Sequence, residues 1–405
     1  MKIIKKRFLK SADYNKNHKK YKKSKFQRKS SDFNSVFKGV FKGTKKAVNE
    51  FAEKIKKKSS EIINFPKIKK SFISALKSGV HKALSLLSNQ KRFVVNLNED
   101  PDIRWKEIIV SKMKYIKLFT YFAKEELDNF EINSAYKKLK KANVSDEMKK
   151  ELAGLSKISG IPYKFVLVMN FMYEFYAACT AIVVKNSDNN LLIARNLDYY
   201  FGEIIGNLVI HVDFHKDGQL LYSAVTFAGY IGVITGIKPG AFAIAMNQRD
   251  ILETSTILDT LRKVNGLNSS AFAIRDALET KQNFKEATEF LKNIPLIAGV
   301  YYIIAGSNRD EAAVITRNRH DVDDIWNFTK NKWYLVQTNY DRWQNPPKED
   351  DRLHPAQELL NIVGKNSIDE DYLLQILSTQ PIKNEFTIHS TILDPLTGKI
   401  TNIVY

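Results

Sequence analysis

The sequence predicts a mixed α+β domain beginning near residue 93, preceded by a basic arm. Three observations carry this. Apolar runs of strand character recur between Thr180 and Val404, and helical spacing interrupts them at Phe284–Leu291, Pro355–Ile362 and Tyr372–Leu377. The glycines form neither G-x-G-x-x-G nor a P-loop, which sets the pattern apart from nucleotide-binding sheets. About 230 residues of such alternation can bury one sizeable core.

Charge divides the chain. Residues 1–92 hold 28 Lys and Arg against 5 Asp and Glu, a net of +23, while the remainder holds 36 against 39, a net of −3. The basic excess therefore lies in the extension, as expected of an arm for an anionic partner. Phe37, Val40, Phe41, Val48, Phe51, Ala52 and Ile55 recur at helical spacing among lysines, and Phe72, Ile73, Leu76, Val80, Ala83, Leu84 and Leu87 repeat the pattern. Basic amphipathic helices favour the interface of an anionic bilayer, where each nearby Lys or Arg contributes about 1 kcal/mol. A solvated lysine-rich tail is the plain alternative. Nucleic-acid phosphate would also attract this charge, but no nucleic-acid motif accompanies it.

Met1 to Lys10 is basic, yet its apolar stretches are only Ile3-Ile4 and Phe8-Leu9. A signal h-region needs roughly 7 to 15 apolar residues, so this segment does not read as a secretory signal. The expectation is membrane association without a recognisable signal peptide. A single cysteine fits a reducing compartment without requiring one.

The most apolar run, Phe165 to Val184, contains Asn170, Glu174 and Cys179. An acid in mid-span is costly in a bilayer, so the run reads as a buried helix ending near Ala177 and leading into a strand from Thr180 to Val184. Lys185-Asn186-Ser187-Asp188-Asn189-Asn190 is a polar turn, and Leu191 to Asp198 returns as the second strand of a hairpin. Leu208 to His215 is the next strand, closed by a turn at Lys216 to Gln219. It sets His211, Asp213 and His215 on one face, which reads as a polar outer face more readily than as a metal site. Gly232, Gly236 and Gly240 are spaced as turn and close-approach glycines around strands Ile231–Thr235 and Ala241–Met246. Helices follow at Ile257–Val264 and Phe284–Leu291, then strands at Gly299–Ala305, Ala312–Thr316 and Trp333–Gln337. The two helices named above precede final strands at Phe386–Leu393 and Ile400–Val404.

Cys179 is the only cysteine in the chain. It cannot form an intramolecular disulfide, so its value lies in packing or in reactivity. The hairpin returns Arg195 and Asp198 toward it, and a nearby guanidinium favours the thiolate. Taken alone, an Arg-x-x-Asp pair is also an ordinary surface ion pair, and Asn339 before Tyr340-Asp341 an ordinary turn residue.

The run Cys179-Thr180-Ala181-Ile182-Val183 with Ala194-Arg195-Asn196-Leu197-Asp198-Tyr199 resembles the processing site and second strand of the N-acylethanolamine acid amidase and acid ceramidase family. Phe227 to Gly232 with Thr235-Gly236, Val314 to Arg319, Thr338 to Trp343 and Lys348 to Arg352 extend the resemblance in order, from about Val94 to the C-terminus. Asn196-Leu197-Asp198-Tyr199, Pro295 to Ile304, Asp324-Ile325-Trp326 and Pro347 to Arg352 lean toward the amidase member.

The resemblance implies a four-layer αββα N-terminal-nucleophile hydrolase. Residues 93–178 would form a mainly helical subunit and 179–405 the catalytic sandwich, the precursor cutting itself between Ala178 and Cys179. The freed α-amine, with a reference pKa of about 7.7 to 8.0, then serves the thiol as base. No cofactor and no histidine is needed. By position, the resemblance makes Cys179 the nucleophile, Arg195 the stabiliser of thiolate or tetrahedral intermediate, Asp198 the holder of the amine, Asn339 an oxyanion donor and Arg352 an arginine near the site. It places Tyr199, Asn247 and Gln248 at the substrate.

Two positions depart from the family, which commonly carries Ser at the place of Ala181 and an acidic residue at the place of Gln248. Glutamine cannot ionise, so a role resting on charge is lost there while a backbone role survives. The function expected is hydrolysis of lipid amides, N-acylethanolamines first and ceramide second, with the two fragments staying associated. A non-enzymatic lipid-binding protein on a degenerate hydrolase fold is the reading from another class, and a small soluble amide, as in penicillin and bile-salt amidases, is a further substrate.

Overall fold

The computed structural model describes residues 91–405 apart from 127–128, 172–176, 200–201, 250–263 and 329–331. The amphipathic segments of the basic arm and the helix expected from Ile257 therefore lie outside the described residues.

The hairpin forms as its sequence predicts. Strands β2 (Ala177–Lys185) and β3 (Leu191–Tyr199) pair antiparallel, with Cys179 opposite Leu197 and Ala181 opposite Arg195. Asn186 makes the turn, its Oδ1 accepting from the backbone N–H groups of Asp188 and Asn190 at 3.0 and 2.9 Å. Nearly every residue of β3 is buried, which is the mark of a strand covered on both faces.

Those two faces define the layers. Ile182, Val184, Leu192 and Ala194 pack against apolar residues of α7 (Leu353–Val363) and α8 (Glu370–Leu377). Ala181, Val183, Leu191 and Ile193 pack instead against Ala243, Ala245, Tyr301 and Ile303 of a second sheet. The far face of that sheet, including Ile244, Tyr302 and Ile304, is covered by α5 (Ser270–Thr280) and α6 (Phe284–Asn293). The result is the expected αββα sandwich.

The first sheet has five strands, ordered β11-β2-β3-β12-β13, with β11 at Tyr334–Gln337, β12 at Thr387–Asp394 and β13 at Lys399–Val404. The second has eight, ordered β1-β4-β5-β6-β7-β8-β9-β10. Its members are β1 (Arg92–Asn96), β4 (Val209–Lys216), β5 (Gln219–Phe227), β6 (Thr235–Lys238), β7 (Phe242–Gln248), β8 (Val300–Gly306), β9 (Ala312–Arg317) and β10 (Val322–Asn327).

Between β1 and β2 the described residues are largely helical: α1 (Lys106–Glu126), α2 (Asn129–Leu139), α3 (Asp146–Ser159) and α4 (Tyr163–Met169). Ser145 caps α3 by accepting from Met148 N, and Gly160, at φ 71°, ends it. This region also supplies a strand that helical expectation omits, since β1 pairs parallel with β4 in the second sheet.

Several expectations need correction. Helix α4 ends at Met169, residues 172–176 of the expected longer helix lie outside the described residues, and Ala178 and Cys179 both lie within β2. Among the described residues no helix is long and apolar enough to cross a membrane. Ile231 to Ile234 is not strand: Gly229, at φ 91°, turns the chain there, and pairing begins at Thr235. His211 is buried rather than outward, while Asp213 pairs with Arg92 and Ser223.

Candidate active site

Cys179 lies on the face of β2 turned toward the second sheet, with no solvent exposure. Arg195, one row along on β3, is equally buried. Its Nη2 lies 2.8 Å from Cys179 Sγ, while Nη1 donates to Thr235 Oγ1 at 2.8 Å and Ile234 O at 3.0 Å at the start of β6. The guanidinium thus bridges the two sheets and brings its charge within hydrogen-bond distance of the sulfur.

The backbone nitrogen of Cys179 is held separately. Strand β11 pairs with β2 through Val336↔Ile182 and Gln337↔Ala181 and then leaves the ladder. Continued, that register would set Asn339 opposite Cys179. Instead the Asn339 side chain takes the place of a ladder carbonyl, its Oδ1 accepting from Cys179 N at 2.8 Å. Arg352 Nη2 donates to the same oxygen at 2.9 Å, and Asn339 Nδ2 donates to Gln248 O at 2.8 Å. Two donors converging on one atom fix it as the amide oxygen.

Arg352 joins this nitrogen to the carboxylate expected beside it. Its Nη1 reaches Asp198 Oδ2 at 3.2 Å, and Nε and Nη2 grip Asp350 at 2.8 and 3.0 Å. Burial disfavours its charge, but Asp350 and Asp198 outweigh this and raise its pKa above the usual arginine value. Asp198 leaves β3 on the face opposite Arg195, across the hairpin from Ala178. Thr387 Oγ1 donates to its Oδ1 at 2.7 Å and Asn384 Nδ2 to its Oδ2 at 3.1 Å. Burial is the stronger influence and pushes the Asp198 carboxyl above the usual range against these partners.

Cys179, Arg195, Asn339, Arg352 and Asp198 are therefore linked in one continuous set of contacts. Gln248 joins it through its backbone oxygen, consistent with a role that tolerates loss of a side-chain charge. Asn247 donates from Nδ2 to Gln337 O at 2.8 Å, bracing the end of β11. Tyr199 pairs with Ala177 and packs beside Ile205, Val209, Val225 and Ile388, and also against the core cluster that includes Cys179.

Sequence reasoning missed Thr235, Asp350, Asn384 and Thr387 as members of this set. Asp350 lies inside the Lys348 to Arg352 run, two residues from Arg352. Asn384 and Thr387 stand 186 and 189 residues from Asp198, and nothing local marks them. Among the described residues no group of three or more His, Cys, Asp or Glu is arranged to hold a metal ion.

Known proteins share this architecture. The family model for acyl-coenzyme A:6-aminopenicillanic acid acyl-transferase matches residues 184–368. Acid ceramidase of Bos taurus is 31% identical over 332 residues, 76% of this chain and 84% of that protein. N-acylethanolamine-hydrolyzing acid amidase of Caenorhabditis elegans is 30% identical over 333 residues, 75% of this chain and 89% of that one. The rabbit (Oryctolagus cuniculus) amidase is 37% identical over 247 residues, 60% and 68% of the two chains. A solved structure of the Caenorhabditis elegans N-acylethanolamine-hydrolyzing acid amidase ortholog superimposes with a TM-score of 0.50 at 32% identity, covering 56% of this chain and all of that one. Identity at this level across most of the relatives' length, together with the shared layers, means that the chain belongs to the acid ceramidase and N-acylethanolamine-hydrolyzing acid amidase family.

Proposed function

We propose that the protein is a self-processed lipid amidase that hydrolyses N-acylethanolamines to fatty acid and ethanolamine. One observation carries the reading: the Cys179 sulfur lies 2.8 Å from Arg195 while the nitrogen of the same residue is held at 2.8 Å by Asn339. Both atoms that an N-terminal nucleophile must use are engaged at once.

In the processing step, Cys179 Sγ adds to the Ala178 carbonyl carbon and the Ala178–Cys179 C–N bond breaks. The nitrogen gains a proton and becomes an α-amine. Water then hydrolyses the resulting thioester, leaving a carboxylate on Ala178 and a free thiol on Cys179. In turnover, the amine takes the thiol proton and the sulfur adds to the substrate amide. Arg195 and Asn339 stabilise the charge that develops, and the leaving amine departs with the proton. A second water releases the fatty acid. Asn339 Nδ2 carries two hydrogens, one directed to Gln248 O, and the amide so oriented is the donor assigned to the oxyanion. Asp198 and Arg352 keep the region around the nitrogen polar and charge-balanced.

Residues 1–178 and 179–405 would then be separate chains. Contacts that cross the cut support their staying together: the β1–β4 ladder, and Glu151 of α3 gripped by both Nη atoms of Arg275 on α5 at 2.5 and 2.7 Å. The basic arm serves as the membrane anchor in this reading, because the substrate resides in a bilayer. Ceramide is the second substrate, favoured by the match to bovine acid ceramidase, as extensive as that to the nematode amidase.

Intact-mass analysis of purified protein, before and after acidification, tests the processing step. Wild type should resolve into chains of 178 and 227 residues, and Cys179→Ala should remain one chain of 405. Hydrolysis of lipid amides by a chain that stays whole would overturn the mechanism.

A further inference from the structure

Asn339 is held by more than its own side chain. Three consecutive residues at the end of β7 reach alternate residues of the segment that carries it. Asn247 Nδ2 donates to Gln337 O at 2.8 Å, Gln248 O accepts from Asn339 Nδ2 at 2.8 Å, and Arg249 grips Asp341 through Nε and Nη2 at 2.8 and 3.0 Å. Residues 247, 248 and 249 thus engage 337, 339 and 341 in turn. Tyr301, opposite Asn247 on β8, donates its hydroxyl to Asp341 Oδ1 at 2.8 Å. Within the segment, Gln337 Nε2 donates to Tyr340 O at 2.8 Å and closes the bend.

The third of these contacts differs in kind from the other two. Asp341 is only 9% exposed, and a two-point guanidinium–carboxylate grip away from solvent is both strong and directional. Burial works against the charge on Arg249, yet Asp341 and Asp323 hold its pKa above the usual arginine value. Arg249 also pairs with Asp323, at the bulge of β10. Arg249 and Tyr301 both bind Asp341, two residues along the segment from Asn339.

We propose that Arg249, Asp341 and Tyr301 are positioning residues that fix the Asn339 side chain against the nitrogen of Cys179. This rests on the reading of Asn339 as a member of the site. The amide must present its oxygen to that nitrogen while its NH2 group faces Gln248 and the reacting carbonyl. A shift of about 1 Å in a positioning group is enough to lose about a hundredfold in rate. The fork of Arg249 resists such a shift because both its nitrogens would have to move together.

The test uses the full chain with four variants. Asp341→Asn removes the charge at near-constant shape, Arg249→Lys keeps charge but loses the fork, Tyr301→Phe removes one hydroxyl, and Asn339→Ala is the reference. Conversion to two chains is followed by intact mass. kcat and KM are measured on a detergent-solubilised N-acylethanolamine, well below each variant's own melting midpoint. Asp341→Asn and Arg249→Lys are expected to lower kcat by about tenfold or more with KM little changed, and Tyr301→Phe to lower it less. A lowered melting midpoint with unchanged kcat and unchanged self-cleavage would make the three residues a structural brace and overturn the proposal. If Asn339→Ala turns over as wild type, the reading of Asn339 fails first. If it is inactive while Arg249→Lys and Asp341→Asn are not impaired, the positioning proposal fails alone. Should Asp341→Asn not fold, Arg249→Lys and Tyr301→Phe decide the matter.

Discussion

Arg195 Nη2 and Cys179 Sγ lie 2.8 Å apart where neither residue has any solvent exposure. The same guanidinium spans to Thr235 on the other sheet, so one planar group must satisfy partners in two directions. Lysine supplies a point charge but cannot reach both. Arg195→Lys is therefore expected to keep the fold and lose about 2.7 to 4 kcal/mol of transition-state stabilisation, read as a fall in kcat. Circular dichroism checks the fold. Unchanged kinetics in this variant and in Arg195→Ala would remove Arg195 from the site.

Glu151 is fully buried between two cations, Arg275 at 2.5 Å and Arg104 at 3.1 Å. Glu151→Gln leaves buried positive charge without its partner, which typically costs about 3 to 5 kcal/mol. Urea unfolding should report that loss. Size exclusion at intermediate urea should separate the fragments of the processed variant before those of wild type. Equal midpoints would show that the Glu151 ion pairs do not govern their association.

His211 carries a pH dependence of stability. Burial first, and then Arg92 beside it, lowers its pKa from 6.5 to about 4, with Asp213 opposing. Its folded pKa is depressed, so below 6.5 the unfolded chain binds a proton that the folded chain refuses. The stability present above pH 6.5 is lost progressively as pH falls through about 4. His389 is shifted the same way by burial and Arg195, and adds to the slope. His211→Gln should flatten the melting midpoint against pH across this window. An unaltered slope would mean that His211 is not the group responsible.

Deleting residues 1–90 removes nearly all the basic excess and leaves every described site residue in place. Sedimentation with anionic vesicles should fall sharply on truncation. For the full chain it should also fall with added salt, because the screening length shortens to about 8 Å at physiological ionic strength. Hydrolysis of a detergent-solubilised amide should persist in the truncated protein. Equal sedimentation of both forms would redirect the arm to a nucleic-acid or protein partner.

What could be read in advance follows the reach of each interaction. Cys179, Arg195 and Asp198 sit within one hairpin whose polar turn is explicit, so their proximity is local information. Strand β5 escaped notice because its second half is buried on both faces and has no polar alternation. Helix α5 escaped for the same reason: Ser270 to Arg275, with Ala277 and Leu278, are all buried, so no polar stripe marks its period. The reverse holds at Ile231 to Ile234, an apolar run that reads as strand although pairing begins only at Thr235. Contacts such as Asp198 with Thr387, or Arg249 with Asp341, depend on which strands become neighbours, and single-sequence periodicity does not encode that.

The early departure of β11 from its ladder has a consequence for the cleavage proposed before Cys179. A backbone N–H inside a sheet normally owes its partner to the neighbouring strand, so altering that nitrogen would unravel the pairing around it. At Cys179 the partner is a side chain, and an amide oxygen accepts from an amine as well as from a peptide nitrogen. The nitrogen can therefore change from one to the other while keeping this acceptor, so that precursor and product of the proposed cut can share a single architecture.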